Sequence, residues 1–395
     1  MTAGHPRGLT QRPAPVAPYR RHPPTLIRLL WLVDLAAIAY LSLYPLTDWR
    51  LRQPGPFAFL SQGIPRYYSQ ADLVSNVAAY VIFGLLFALG WSTRKNAWLP
   101  AATAAAVAML LSLSLESLQS YLPARVPSML DFSANAAGGA LGGVIGAVVG
   151  RYRIRLRDGP TPASRQWYEQ GPALGWVLVI MWVISQLPTQ RLLFSTGHLQ
   201  AWLPQTLSGL GGMIPDLQLD ALLPESLRSA HETLVVATMI CVLGVLVMDL
   251  VRSAAWRTTW ITGLMALAVG LRILTSPPFQ SSQRLLVWLT SGAQAGLLVG
   301  ALTLYLVGAF ERRTRLRAGI ALVLLGLFLV NIAPMDPFFQ TTQSAAQGTL
   351  TPGMTPSLRS LINGIGAFWP LMALAYLLAR LVALRRPPPD KLAGI

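Results

Sequence analysis

Three pairs of polar residues stand out against an apolar background. Asp72 and Asn76 are four apart, Glu116 and Gln119 three apart, Asp131 and Asn135 four apart, and Arg125 lies between the second and third pairs. Spacings of three and four put both members of a pair on one face of a helix. A guanidinium such as Arg125 holds a phosphate or carboxylate by paired hydrogen bonds. The amides of Asn76, Gln119 and Asn135 orient sugar or peptide groups. The carboxylates of Asp72, Glu116 and Asp131 tune charge or bind a hard cation through oxygen, and Glu116 or Asp131 could serve as acid or base. Capping is the competing account for Asp72 and Asp131, which sit near helix starts, where a carboxylate accepts free N–H groups. It does not account for Glu116, placed in the last turns of its helix, an unfavourable end for an anion. Nor does it explain why Asn76 and Asn135 lie one turn deeper. Pairing of Glu116 or Asp131 with Arg125 would lower the cost of burial.

The elements that must position these residues are membrane helices. The chain of 395 residues is 53% hydrophobic and only 12% charged, about half the charged fraction of a soluble domain. Its apolar residues come in blocks near the 20 residues that a helix needs to cross hydrocarbon, with every backbone polar group satisfied inside the segment. The pattern predicts an all-α, polytopic bundle of about ten transmembrane helices, over 27–46, 72–91, 97–118, 132–150, 173–187, 232–250, 258–274, 285–310, 320–333 and 365–384. The fifth and ninth are short. With the N-terminus in the cytoplasm, the cytoplasmic stretches hold 22 Lys and Arg against nine outside, as the positive-inside rule requires. Both termini are then cytoplasmic, and all three polar pairs fall at the outer membrane level.

Residues 1–25 read as a disordered basic tail and 386–395 as a C-terminal tail. Between them lie a four-helix segment at 26–158 and a six-span segment at 159–385, with long external loops at about 188–231 and 334–364. Trp202 to Ile214 suggests an interfacial helix. Gly138, Gly142, Gly146 and Gly150 repeat every four residues in the fourth span and permit close helix packing, within the chain or against a second copy in a homo-oligomer.

The net charge of +16 does not signal nucleic acid, because the basic residues flank apolar blocks where anionic headgroups attract them. The single cysteine, Cys241, sits in an apolar block and forms no intramolecular disulfide. Four scattered histidines give no zinc pattern, and no nucleotide motif or serine–histidine–acid arrangement is visible, so no metal or cofactor is called for. Asp34 in the first span is a secondary candidate, facing the pocket or pairing with a basic side chain near the inner surface. Asn331 and Asp336 are secondary candidates beside Pro334. Glu232, Asp249 and Glu311 read as caps or interface charges.

The stretch Asp72-Leu-Val-Ser-Asn76 followed by Gly84, and the ordered set Glu116-Ser-Leu-Gln119, Arg125, Asp131, Asn135-Ala-Ala-Gly138 and Gly142, resemble the VanZ-like family. That family is named for a membrane protein linked to low-level teicoplanin resistance. The resemblance covers roughly 26–155, and the six later spans depart from the compact family form. It implies a multi-pass protein of the bacterial cytoplasmic (inner) membrane, part of the cell envelope, with a connection to antibiotic resistance. The expected function is binding or handling of an undecaprenyl-linked or glycopeptide-type polar ligand at the outer face, with membrane lipids as further partners. An integral-membrane enzyme acting on a lipid-linked substrate, a transporter whose second half supplies the moving bundle, and a scaffold stay open beside it.

Overall fold

A helix covers each of the ten apolar blocks in the computed structural model, which describes residues 25–51, 55–63, 69–92, 96, 98–157, 173–187, 192–199, 225–251, 253–275, 289–332 and 355–384. In chain order the helices are α1 (Thr25–Leu43), α2 (Gln70–Trp91), α3 (Trp98–Gln119), α4 (Met129–Arg157), α5 (Ala173–Ser185), α6 (Glu225–Leu250), α7 (Ala254–Thr275), α8 (Ser291–Gly308), α9 (Arg312–Ile332) and α10 (Pro356–Ala383). A single 3-10 turn, Ala58–Leu60, precedes α2. Among the described residues, eight of these helices are long and apolar enough to cross a membrane, fewer than the ten or so spans expected. The 13 residues of α5 rise about 20 Å, short of the ~30 Å hydrocarbon thickness. Large apolar side chains, among them Leu110, Leu141, Leu298, Leu302, Tyr305 and Phe328, lie exposed on the outside. Water would leave that surface uncompensated and lipid does not. The chain is a multi-pass membrane protein.

Several helices run past the expected apolar limits. α9 begins at Arg312 rather than 320, α6 at Glu225 rather than 232, and α10 at Pro356 rather than 365. Hydropathy marks only the part of a helix that suits hydrocarbon. The backbone ladder continues through polar turns at the headgroups, as in the basic first turns of α9. α8 is shorter than expected, because Thr290 caps it by accepting from Ala293 N–H. Asp336, the 202–214 segment, Pro334 and both chain ends fall outside the described residues.

The two larger buried apolar clusters organise the helices. The first joins Ile38, Tyr80, Phe83, Ala108 and Leu115 of α1 to α3. The second is larger and centres on α6, which contributes an unbroken run of buried side chains from Val235 to Val247. α6 is apolar all round because α5, α8, α9 and α10 enclose it. Its one buried acid, Asp249, is 4% exposed. Asp249 accepts from Arg312 at 2.7 Å, Arg380 at 2.6 Å and the Tyr376 hydroxyl at 2.9 Å. Two guanidiniums thus compensate it at one end of the bundle, where the sequence reading expected a cap or an interface charge. Tyr40 on α1 and Ser360 on α10 share a 2.8 Å hydrogen bond between the two groups of helices.

Close approach in the first group depends on glycine. α4 inserts between α2 and α3, with Gly138, Gly142 and Gly146 against α2 and Gly139 and Gly143 against α3. A Cβ on Gly138 would stand 2.6 Å from the Val77 carbonyl oxygen, and one on Gly143 would stand 2.8 Å from that of Ala101. Gly84 on α2 meets the Gly139 carbonyl in the same way. The seam lies within the chain. Gly150 meets Ser92 just beyond α2. A second glycine face, Gly292, Gly296 and Gly300 on α8, rests on Glu232, Val236 and Ile240 of α6.

Candidate functional site

The end of α3 and the starts of α2 and α4 meet at one end of the first helix group, and this brings the polar pairs together. Two serines, rather than the aspartates, cap the helices. Ser69 accepts from Asp72 N–H at 3.3 Å, and Ser128 accepts from Leu130 and Asp131 N–H at 3.1 and 3.4 Å. Asp72 and Asp131 both stand three residues after a capping serine. In a capping box the acid at that position bonds back to the N–H of the cap. At α4 another group does so: the Ser128 N–H donates to Glu116 Oε2 at 2.9 Å. That contact gives Glu116, 3% exposed, its place at the end of α3, where it faces the positive start of α4. The Asp131 carboxylate is thereby left to accept from Asn76 Nδ2 at 2.9 Å, tying α4 to α2.

Arg125 and Gln119 turn toward α1. Arg125 Nε donates to the Tyr44 carbonyl at 2.8 Å and Nη2 to the Leu41 carbonyl at 2.6 Å. Gln119 Nε2 donates to the Ser42 carbonyl at 3.1 Å. The last carbonyls of a helix have no partner inside it, so these two side chains cap α1 from a distance. Burial pushes the Arg125 guanidinium below its ordinary value, and the nearby Asp72 and Glu116 charges act in the opposite sense. Arg125→Ala is expected to cost about 3 kcal/mol, because two charged hydrogen bonds are lost and two carbonyls lose their donors. Thermal unfolding of the detergent-solubilised protein measures this; an unchanged midpoint would show that α1 does not need the clamp.

Asn135, one turn deeper, is 6% exposed and donates to Ser112 Oγ at 3.0 Å. Of the seven principal candidates, only Asp72 and Asp131 line the open cavity at this end. It holds about 450 Å³ and is bounded by Phe59, Gln62, Gly63, Ser69, Asp72, Leu73 and the 126–131 segment. Ser128, Gln62 and the 3-10 turn are parts of the site that spacing alone did not mark. A serine three residues before each acid was the available signal.

The secondary candidates lie elsewhere. Asp34 is interior to the first helix group. Asn331 clamps the 192–199 segment, accepting from Leu199 N–H at 3.0 Å and donating to the Gly197 carbonyl at 2.8 Å. In the same segment Ser195 and His198, three apart, share a 3.0 Å hydrogen bond. Ser195 also donates to the Leu192 carbonyl at 2.9 Å, which ties the pair to its own turn. No cluster of three metal-ligating side chains occurs among the described residues.

Residues 30–150 match the VanZ/LLP1 family model. They form a VanZ-like domain. The matched range ends at the last glycine of the α4 seam and takes in both cavity carboxylates, the Arg125 clamp and the Asn76–Asp131 bond. The VanZ-like domain accounts for the N-terminal third of the chain, and α5 to α10 lie beyond it. Comparison with curated proteins and with solved structures gave no match.

Proposed function

We propose that the VanZ-like domain binds a lipid-linked or glycopeptide-type polar ligand at the outer face of the bacterial cytoplasmic membrane, in the cavity between the 3-10 turn and the starts of α2 and α4. The observation that carries this reading is the pairing of two carboxylates, Asp72 and Asp131, with an apolar wall of Phe59, Leu73, Val126 and Leu130 around one open cavity. Carboxylates accept hydrogen bonds from hydroxyl and ammonium groups, and Gln62, Ser69 and Ser128 add neutral polar contacts. The apolar wall suits the first carbons of a lipid chain.

The charge balance selects the part of the ligand that enters. Two carboxylates crowd the cavity beside the partial positive charges of two helix starts, an arrangement that suits a donor-rich group better than a pyrophosphate. The sugar or peptide end, rich in donors, fits. Arg125 supports this cavity by holding α1 and the 120–128 loop, which revises its expected role as the phosphate holder. The serines that line the cavity serve as helix caps, a role that suits a binding site. The outer-face assignment rests on the distribution of basic residues between the spans.

Native mass spectrometry of the protein extracted with its lipids provides the test. The wild type is expected to retain a species with a polar headgroup that Asp72→Asn/Asp131→Asn loses by about tenfold, equal to 1.4 kcal/mol. Equal retention of every species by the two proteins would refute capture by these carboxylates.

A further inference from the structure

A second polar group lies inside the first four helices, apart from the cavity. It comprises Asp34 on α1, Tyr80 on α2, Ser112 on α3 and Asn135 on α4, one residue from each helix. None of them lines the cavity. Asn135 Nδ2 donates to Ser112 Oγ. The Tyr80 hydroxyl is a neighbour of Ser112 and lies within electrostatic reach of Asp34 and Glu116. Around them pack Trp31, Ile38, Phe83, Ala108 and Leu115.

Three oxygens in this group are buried without a hydrogen-bond partner: Asp34 Oδ2, Tyr80 Oη and Asn135 Oδ1. Tyr80 is 3% and Asn135 6% exposed. Each orphaned buried polar atom costs about 1–3 kcal/mol, and an unpaired carboxylate within a transmembrane helix costs more. A bridging water would satisfy lone pairs but would not neutralise Asp34. Glu116 acts on Tyr80 from outside the group, its carboxylate held by the Ser128 N–H at the start of α4. The ion pairs of Asp249 with Arg312 and Arg380 lie in the other group of helices. The donor set, one carboxylate with amide, phenol and hydroxyl oxygens, is hard and carries a single charge. Hard oxygen ligands suit small hard cations, and a single carboxylate balances a single positive charge.

We propose that Asp34, Tyr80, Ser112 and Asn135 form an intramembrane site for a small monovalent cation, Na⁺ or a hydronium ion. The site is separate from the ligand cavity and stands whether or not that cavity binds a glycopeptide-type ligand. Its oxygens come from four helices, so occupancy draws α1 to α4 together.

Labelling with dicyclohexylcarbodiimide tests it, because this apolar reagent enters through lipid and modifies protonated carboxyls. The purified full-length protein in lipid nanodiscs is treated across pH 5–9, in choline chloride or in NaCl at constant ionic strength, and the α1 peptide is read by mass spectrometry. Asp34 is expected to be modified at low pH in choline, and Asp34→Asn gives no adduct on that peptide. Protection by Na⁺ identifies sodium as the occupant. Labelling that falls as pH rises but ignores Na⁺ identifies the proton. Asn135→Leu, which removes one ligand oxygen, is expected to raise the protecting Na⁺ concentration, or shift the pH dependence, by about tenfold in cation activity. Asp34 that is unlabelled throughout this range, or labelled to the same extent regardless of Na⁺ and pH, overturns the proposal.

Discussion

Gly142→Ala is expected to unseat α4 from α2 and to destabilise the protein by about 3 kcal/mol, at the upper end of the overpacking range. The added Cβ would overlap the Val81 carbonyl oxygen and press on the Leu85 nitrogen. Both are backbone atoms, so no side-chain rotation relieves the contact and the helices must separate. Separation also strains the Asn76–Asp131 bond, 2.9 Å long and just above the seam. Gly263 on α7 provides the contrast, since a Cβ there meets nothing within 4 Å. Gly263→Ala is expected to gain roughly 0.5–1 kcal/mol through helix propensity. Unfolding in detergent followed by circular dichroism measures both. Two variants that shift the midpoint in the same direction would remove the seam as an explanation.

Asp249→Leu is expected to cost about 3–5 kcal/mol, the usual result of removing one partner from a buried ion pair. It takes the shared carboxylate from two guanidiniums, Arg312 and Arg380, and leaves the buried Tyr376 hydroxyl without its acceptor. The three partners come from α9 and α10, so the loss is expected to loosen both helices around α6. Tyr376→Phe removes only one hydrogen bond to a charged group, and its expected cost is about 1.5–3 kcal/mol. The double variant Asp249→Leu/Arg380→Leu is expected to recover part of the loss, because one of the two cations facing the lost carboxylate is gone. A cost for Asp249→Leu below about 1 kcal/mol would place the cluster with solvated surface pairs. No recovery in the double variant would show that Arg380 has other support.

The helices were legible as apolar blocks, and eight of them, among the described residues, are long and apolar enough to cross a membrane where about ten spans were expected. Their ends were less so. α9 starts in a run of four arginines, and α6 and α10 start in polar turns, because hydrogen bonding along the backbone does not stop where hydrocarbon stops. The glycines of α4 announced close packing, yet their spacing was equally compatible with a second chain. Only the meeting of Gly138, Gly142 and Gly146 with Val77, Val81 and Leu85 assigns them to α2. The polar pairs were visible as types and intervals, while their partners were not. Arg125 read as a ligand holder and turns out to donate to the carbonyls of Leu41 and Tyr44, more than eighty residues earlier.

Asp249 shows the same division from the other side. Its position near a helix end suggested a cap, and the two guanidiniums that compensate it lie 63 and 131 residues later in the chain. Class and the VanZ-like motif could be read along the chain because each depends on the transfer of one segment from water to lipid, or on residues within a few turns of one another. Partner choice, the cavity and the orphaned oxygens of Asp34, Tyr80 and Asn135 depend on how each helix is rotated against its neighbours. That rotation is a property of pairs of surfaces, and a linear pattern of apolar residues carries little of it when lipid makes the outside of every helix apolar as well.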